Sequence, residues 1–380
     1  MAERLTYAMI GGGTGSFIGA VHRHAIALDG TATLVAGAFS STPERSRSSA
    51  SELGVDPARA YGSFEELAAG ESGRTDPVDF VVIVTPNDMH HPAAKACLDA
   101  GLNVVCDKPF TVTSAQAAEL RDLASSKGLL CAVTYNYSGY PMVRHASELV
   151  RTGMLGKVRK VYAEYHQGWL ATDLEKTGQK QASWRQDPKR AGMGGSLGDI
   201  GTHAEQLVRY VTGLEVELVY AELTSFVHGR VLDDDASVLL RLSDGARGTL
   251  TCSQVCVGEA NGLSLRVYGE TGGVVWRQER AEELILTRKD GSKTLLGRGI
   301  EGLSDRAAHA TRLPGGHPEG FIEAFANVYR GVGEAIHAGK SRTKAGVLAG
   351  EVPGAEDGRL GVRFVEACVE SGASGSWVAV

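Results

Sequence analysis

This chain of 380 residues has no basic stripe, no apolar run of membrane-spanning length and no paired Cys-x-x-Cys spacing. Its formal charge of −6 is spread along the chain, which argues against nucleic-acid partners because nothing is there to hold a phosphate backbone. The lack of a long apolar run argues against a membrane span. Met1 to Thr6 leads directly into a strand with no signal-peptide apolar region, so a cytoplasmic location is expected. The six cysteines (Cys97, Cys106, Cys131, Cys252, Cys256 and Cys368) read as buried reduced thiols. Cys252 and Cys256, four apart in a strand-like run, would share a face, but no histidine cluster joins them to make a zinc site. There is also no internal repeat and no low-complexity linker.

What is present is an ordinary globular composition, with 43% apolar and 22% charged residues, in a chain long enough for two domains. Tyr7 to Ile10, Thr33 to Ala38, Phe80 to Val84, Asn103 to Cys106 and Leu129 to Val133 are short apolar strands. Helical spacing over Pro43 to Leu53, Pro92 to Ala100 and Ser114 to Lys127 alternates with them, with Ser114 as N-cap and Gly128 as stop. Strict alternation implies an α/β domain, a doubly wound parallel sheet of Rossmann type, over residues 1–135.

After Tyr135 the rhythm changes to longer alternating strands: Val158 to Tyr165, Glu217 to Phe226, Ala236 to Leu242, Gly248 to Val255 and Leu263 to Tyr268. Turns such as Ser243-Asp244-Gly245 separate several of them. Residues 136–380 therefore read as an α+β substrate-binding domain with an open, mostly antiparallel sheet. Its exposed face suits a homo-oligomer, dimer or tetramer. The last helix, about 356–371, is expected to pack back on the first domain.

Gly11-Gly12-Gly13-Thr14-Gly15-Ser16-Phe17 follows the first strand and opens a helix. Gly11 permits the tight turn, and Gly13 lets the backbone approach a pyrophosphate at the helix N-terminus. The third glycine of the dinucleotide fingerprint is replaced by Ser16 or displaced to Gly15. At the end of the second strand no acid stands ready for a ribose 2′-hydroxyl. Ser40, Ser41 and Arg45 would accept a 2′-phosphate, yet the serines suit an unphosphorylated ribose too, so NAD and NADP stay equally open. Thr85, Pro86, Asn87 and His90 close a later strand at the carboxyl edge of the sheet, where ligands bind in such folds.

Two stretches carry the chemistry. Cys106-Asp107-Lys108-Pro109-Phe110 ends an apolar strand, and Asp199-Ile200-Gly201-Thr202-His203 follows the glycine-rich run Gly194 to Gly198. They supply a lysine, a carboxylate and an imidazole, the groups needed to move a proton on and off a sugar hydroxyl. If Asp199 to Tyr210 is helical, Asp199 and His203 share a face. The bland counterparts are a surface lysine, a capping aspartate and a core histidine. The glycine run reads as built for close approach to a ligand. His90, His91 and His203 have no zinc-type spacing, so no metal is expected.

With these motifs in hand, the whole chain resembles the glucose-fructose oxidoreductase, inositol dehydrogenase and rhizopine-catabolism (Gfo/Idh/MocA) family. Its Glu-Lys-Pro signature appears here with Asp107 in place of glutamate, and its Asp-x-x-x-His signature is intact. Asn87 to Pro92, Gly153 to Val158, Trp184-Arg185, Gly192 to Ser196 and Glu356-Asp357-Gly358 extend the likeness.

The resemblance implies an NAD(P)-dependent oxidoreductase acting on a ring secondary alcohol of a sugar, sugar derivative or cyclitol. Lys108, Asp199 and His203 would be catalytic, with Asp107, Lys108 and Asn136 near the cofactor. Tyr137, His166, Trp169, Trp184 and Arg185 would line the substrate pocket, although the aromatics suit sheet packing equally. Two other functions fit the same residues: an NAD-dependent glycosidase working through transient C3 oxidation, and a non-catalytic sensor of cofactor and sugar.

Overall fold

The computed structural model describes residues 4–341 and 350–380. Met1 to Glu3, part of the N-terminal stretch read above, lie outside them. The chain forms two compact units. The first comprises Met1–Thr111, Ala115–Gly139 and Phe321–Arg359; the second comprises Val112–Ser114, Tyr140–Gly320 and Leu360–Val380.

In the first unit five strands form a parallel sheet: β1 (Leu5–Gly11), β2 (Ala32–Ala38), β3 (Phe80–Val84), β4 (Asn103–Cys106) and β5 (Cys131–Val133). Their order is β2-β1-β3-β4-β5, so the chain winds outward from β1 to β2 and then crosses to β3. That reversal opens a crevice beyond the carboxyl ends of β1 and β3. Every residue of β3 is buried, as a sheet covered on both faces demands. Helices α1 (Phe17–Leu28), α2 (Pro43–Glu52), α3 (Phe64–Ser72), α4 (His90–Asp99) and α5 (Ser114–Lys127) complete the winding. Gly128, at φ 63°, ends α5 in the left-handed conformation that glycine tolerates.

In the second unit, α6 (Pro141–Arg151) precedes β6 (Val158–His166). Short helices α7 (Lys180–Arg185) and α8 (Pro188–Ala191) lead to α9 (Thr202–Thr212). Then come β7 (Val216–Thr224), β8 (Asp235–Leu242), β9 (Arg247–Ser253), β10 (Gly262–Gly269), β11 (Gly272–Arg277), β12 (Glu283–Arg288) and β13 (Lys293–Gly297). Helix α10 (Asp305–His309) follows, and after α11 (Phe321–Ser341) and α12 (Ala355–Ser374) the chain ends in β14 (Val378–Ala379). The nine-stranded sheet runs β13-β12-β11-β10-β6-β9-β8-β7-β14, and all its pairings are antiparallel except β6 with β9. Alternate residues of β8 (Ala236, Val238, Leu240 and Leu242) are buried, while Ser237 and Leu239 are exposed. Helices α6 and α9 pack on this sheet.

The first unit takes in Phe321–Arg359, so the first turn of α12 lies in it, where Glu356 pairs with Arg121 of α5; the rest of that helix is in the second unit. Phe325, Tyr329, Val332 and Ile336 of α11 recur at helical spacing and fill one side of the first unit's core. An apolar stripe announces burial but not the core it enters. One expectation changes: β9 ends at Ser253, so buried Cys252 and half-buried Cys256 do not share a strand face.

Candidate active site

The glycine turn after β1 divides its labour among its residues. Gly11 (φ 77°) and Gly12 (φ 68°) take left-handed conformations that reverse the chain. A Cβ on Gly13 would stand 2.8 Å from the Phe39 carbonyl oxygen and 2.7 Å from Ser49 Oγ, so Gly13 serves the approach of its own backbone to the end of β2. Thr14 N–H donates to the same Ser49 Oγ at 3.2 Å. Gly15 is left-handed at φ 80° with open space around it, and Ser16 caps α1 by accepting from Gly19 N–H at 3.2 Å. Helix–strand contact, the task of the third fingerprint glycine, falls to Gly19: its Cβ would lie 2.4 Å from Gly12 Cα. The exposed turn of Thr14, Gly15 and Phe17 at a helix N-terminus thus fits a pyrophosphate. Ser40 is half-buried at the end of β2, with Ser41 and Arg45 exposed beyond it.

Three strand ends are then tied together. Thr85, Pro86 and buried Asn87 form the turn after β3. Asp107 and Lys108, both half-buried, follow β4. Asp107 Oδ1 accepts from Lys108 N–H at 2.8 Å and from Thr134 Oγ1, beyond β5, at 2.9 Å. His90 is buried between the first two turns, with Nδ1 2.8 Å from the Pro109 carbonyl oxygen and Nε2 2.9 Å from that of Thr85. Burial lowers its pKa. A neutral ring donates to one of these carbonyls at a time, so His90 braces the turns rather than presenting a nitrogen to a cofactor. Asn136 is 1% exposed, and among the described residues its Nδ2 has no hydrogen-bond partner. Tyr137 is equally buried.

In the second unit, the glycine-rich run is organised by Asp233. Its carboxylate accepts from Gly195 N–H at 2.6 Å, Leu197 N–H at 2.8 Å and Ser196 Oγ at 2.7 Å. A Cβ on Gly195 would lie 2.0 Å from the Asp233 carbonyl oxygen, so this glycine serves the chain's own backbone and not a ligand. From here Leu197–Gly201 forms a π-helical turn that runs into α9, placing Asp199 one turn before His203. Asp199 Oδ2 accepts from Arg185 Nε at 3.2 Å and from Gln254 Nε2 at 2.9 Å. The Arg185 guanidinium also stacks 4.3 Å from the Trp184 ring. Trp169 Nε1 donates to Gln167 Oε1 at 3.0 Å.

The neighbour of His203 on β6 is Tyr165, with ring centroids 6.2 Å apart. His166 points to the other face of the sheet, where its Nε2 lies 3.1 Å from Thr251 Oγ1. Alternation along β6 separates the two, so the structure does not bring His166 to Asp199 and His203. Sequence reasoning passed over Gln254, Asn261 and Thr134, which lie just beyond strands where polar residues look like ordinary turn material. Among the described residues no group of three or more His, Cys, Asp or Glu could hold a metal ion, and no helix is long and apolar enough to cross a membrane.

Residues 5–135 match an oxidoreductase family described by its NAD-binding Rossmann fold, and residues 143–275 match the GFO/IDH/MocA C-terminal domain. An uncharacterized oxidoreductase of Bacillus subtilis, YfiI, is 35% identical over 100% of this chain and 97% of its own length. The crystal structure of an oxidoreductase from Sinorhizobium meliloti is 44% identical, covers 99% of both chains and superposes with a TM-score of 0.90. An inositol dehydrogenase homologue from Azotobacter vinelandii, solved with NADH and myo-inositol, is 34% identical over 100% of this chain and 98% of its own, with a TM-score of 0.92. The chain is therefore a member of the Gfo/Idh/MocA oxidoreductases, with an NAD-binding Rossmann domain followed by the family's C-terminal domain.

Proposed function

We propose that this protein is a dehydrogenase oxidising a ring secondary alcohol of a sugar, sugar derivative or cyclitol to a ketone. The observation that carries the reading is Lys108 at the carboxyl end of parallel strand β4, beside the turn of Thr85, Pro86 and Asn87 that His90 braces. The N-terminus of α1 with Gly15 and Ser16 would hold the pyrophosphate, with Thr85, Pro86, Asn87, Asp107 and Asn136 near the rest of the dinucleotide. When bound, the nicotinamide supplies the hydride acceptor.

The chain's own residues then manage the proton. In the second unit, His203 accepts it from the reacting hydroxyl oxygen and Asp199 accepts a hydrogen bond from a neighbouring hydroxyl; in the first, Lys108 serves as a proton-relay group. Trp169 and Trp184 would lie against the apolar face of the ring. Because Arg185 already pairs with Asp199, the two charges offset each other, which favours a neutral polyol over a sugar acid.

The same reading includes a cytoplasmic location and a homo-oligomer, dimer or tetramer, in which a second copy covers the open sheet face. Leu239, Tyr268, Ile285 and Leu295 expose apolar surface there.

Myo-inositol, other polyols and aryl glycosides incubated with NAD and with NADP test the function, by following reduced nicotinamide and released aglycone together. NADH formation is expected. Aglycone release without net reduction would instead mark redox-neutral glycoside cleavage. Light scattering on the eluting protein tests the assembly, and a monomer at micromolar concentration would overturn it.

A further inference from the structure

We propose that Gln254 is a positioning residue for the reaction, holding the Asp199 carboxylate in place through its amide. This rests on the reading of Asp199 as a substrate-binding, catalytic group.

Gln254 follows β9 and is 1% exposed. Its backbone is pinned on both sides, because its N–H donates to the Asp234 carbonyl at 2.9 Å and its own carbonyl accepts from Leu170 N–H at 3.0 Å. The side chain therefore starts from a fixed root. Its Nε2 donates to Asp199 Oδ2 at 2.9 Å, and an ionised carboxylate only accepts, so the amide has a single workable orientation there.

Further contacts fix that orientation again. Gln254 Nε2 also lies 3.4 Å from Gln167 Oε1, the atom that accepts from the Trp169 indole N–H. Indole nitrogen donates only, so Gln167 must present its oxygen on that side and its Nε2 on the other. That Nε2 donates to Asn261 Oδ1 at 2.8 Å, as does the Tyr165 hydroxyl at 2.7 Å. Tyr165 is the residue whose ring lies against His203. The polar chain thus begins at Asp199 and ends at the aromatic wall of His203. Turning any one amide would set oxygen against oxygen or leave a donor without an acceptor. Held this way, the Asp199 carboxylate is fixed at Oδ2 by two donors, Gln254 Nε2 and Arg185 Nε.

Gln254→Leu, Gln254→Glu and Asp199→Asn are compared with wild type for NADH formation from myo-inositol across pH 5 to 9, for NAD affinity and for melting temperature. Gln254→Leu, which keeps the volume but removes the amide, is expected to lower kcat about 10- to 100-fold with NAD affinity unchanged. Gln254→Glu puts a second carboxylate against Asp199, so one of the two holds its proton to higher pH. The acidic limb of its kcat/KM profile is expected to move up by about one pH unit or more. Its melting temperature, read without substrate, is expected to fall relative to wild type as pH rises above about 4.3.

Variants with a lower melting temperature but wild-type kcat per folded molecule and an unmoved pH profile would overturn the proposal. Full activity in Gln254→Leu alongside an inactive Asp199→Asn would overturn it while leaving the catalytic reading in place. Full activity in Asp199→Asn would sink that reading itself.

Discussion

His22 Nδ1 lies 2.5 Å from the Tyr329 hydroxyl, joining α1 to α11 inside the first unit's core. The imidazole is fully buried, and burial pushes its pKa down to about 4. In the unfolded chain it takes a proton from about pH 6.5 downward, whereas the folded protein resists until about pH 4. Stability is therefore expected to fall as pH drops through that window, by up to about 3 kcal/mol from this group. His90, buried and shifted the same way, adds to the slope. Thermal melts between pH 7.5 and 4.5 should show a shallower decline for His22→Asn, which places an amide oxygen near Nδ1 without titrating. Identical slopes would remove His22 from the account.

Gly19→Ala should be costly although alanine favours helices. Its Cβ would meet Gly12 Cα at 2.4 Å and the Gly12 carbonyl oxygen at 2.5 Å, and backbone on both sides cannot move aside cheaply. Overpacking of this kind is worth about 1–3 kcal/mol. Chemical denaturation should place the variant in that range. Gly15→Ala, in open space but at φ 80°, should cost only about 1 kcal/mol while weakening NAD binding.

Nucleotide choice should be adjustable at the end of β2. Ser40→Asp supplies the acid that the native sequence lacks there, and is expected to weaken NADP binding about tenfold or more while sparing NAD. Arg45→Ala should weaken NADP alone if the exposed guanidinium meets a 2′-phosphate. Calorimetric titration with both nucleotides decides; equal changes for the two would exclude a discriminating role for either position.

Lys108→Met and His203→Ala should each lose about 10²- to 10⁴-fold in turnover, the range for positioned proton transfer, with NAD affinity nearly intact. Asp199→Asn should lose comparably. Should all three melt lower yet turn over normally per folded molecule, they are structural groups.

The parallel sheet was legible because its strands are buried on both faces and punctuated by glycine and helix caps. Asn103–Cys106 and Ser114–Lys127 match their expected spans. Parity was harder. Alternation along β6 sorts Tyr165 and His166 onto opposite faces, but nothing local says which face carries His203. Strands β11 to β13 escaped because they are short and rich in glycine and charge at their ends. Glycines also misled: Gly13 and Gly195 look like room for a ligand, and both are room for the chain's own carbonyls. Gln254 had no signature because a buried amide announces itself only through partners distant in sequence.

The π-helical turn at Leu197–Gly201 makes the angle between Asp199 and His203 a property of backbone register. Its five residues turn the chain by about 400°, nearly what four α-helical residues turn it, so the segment carries one residue more than α winding needs. Removing that residue would let the helix close with the segment before it still in line with α9, but would change which side chain stands one turn before His203. In a search of altered sequences for new substrates, a single-residue deletion here is therefore expected to keep the fold and lose turnover, whereas most point changes leave Asp199 in place.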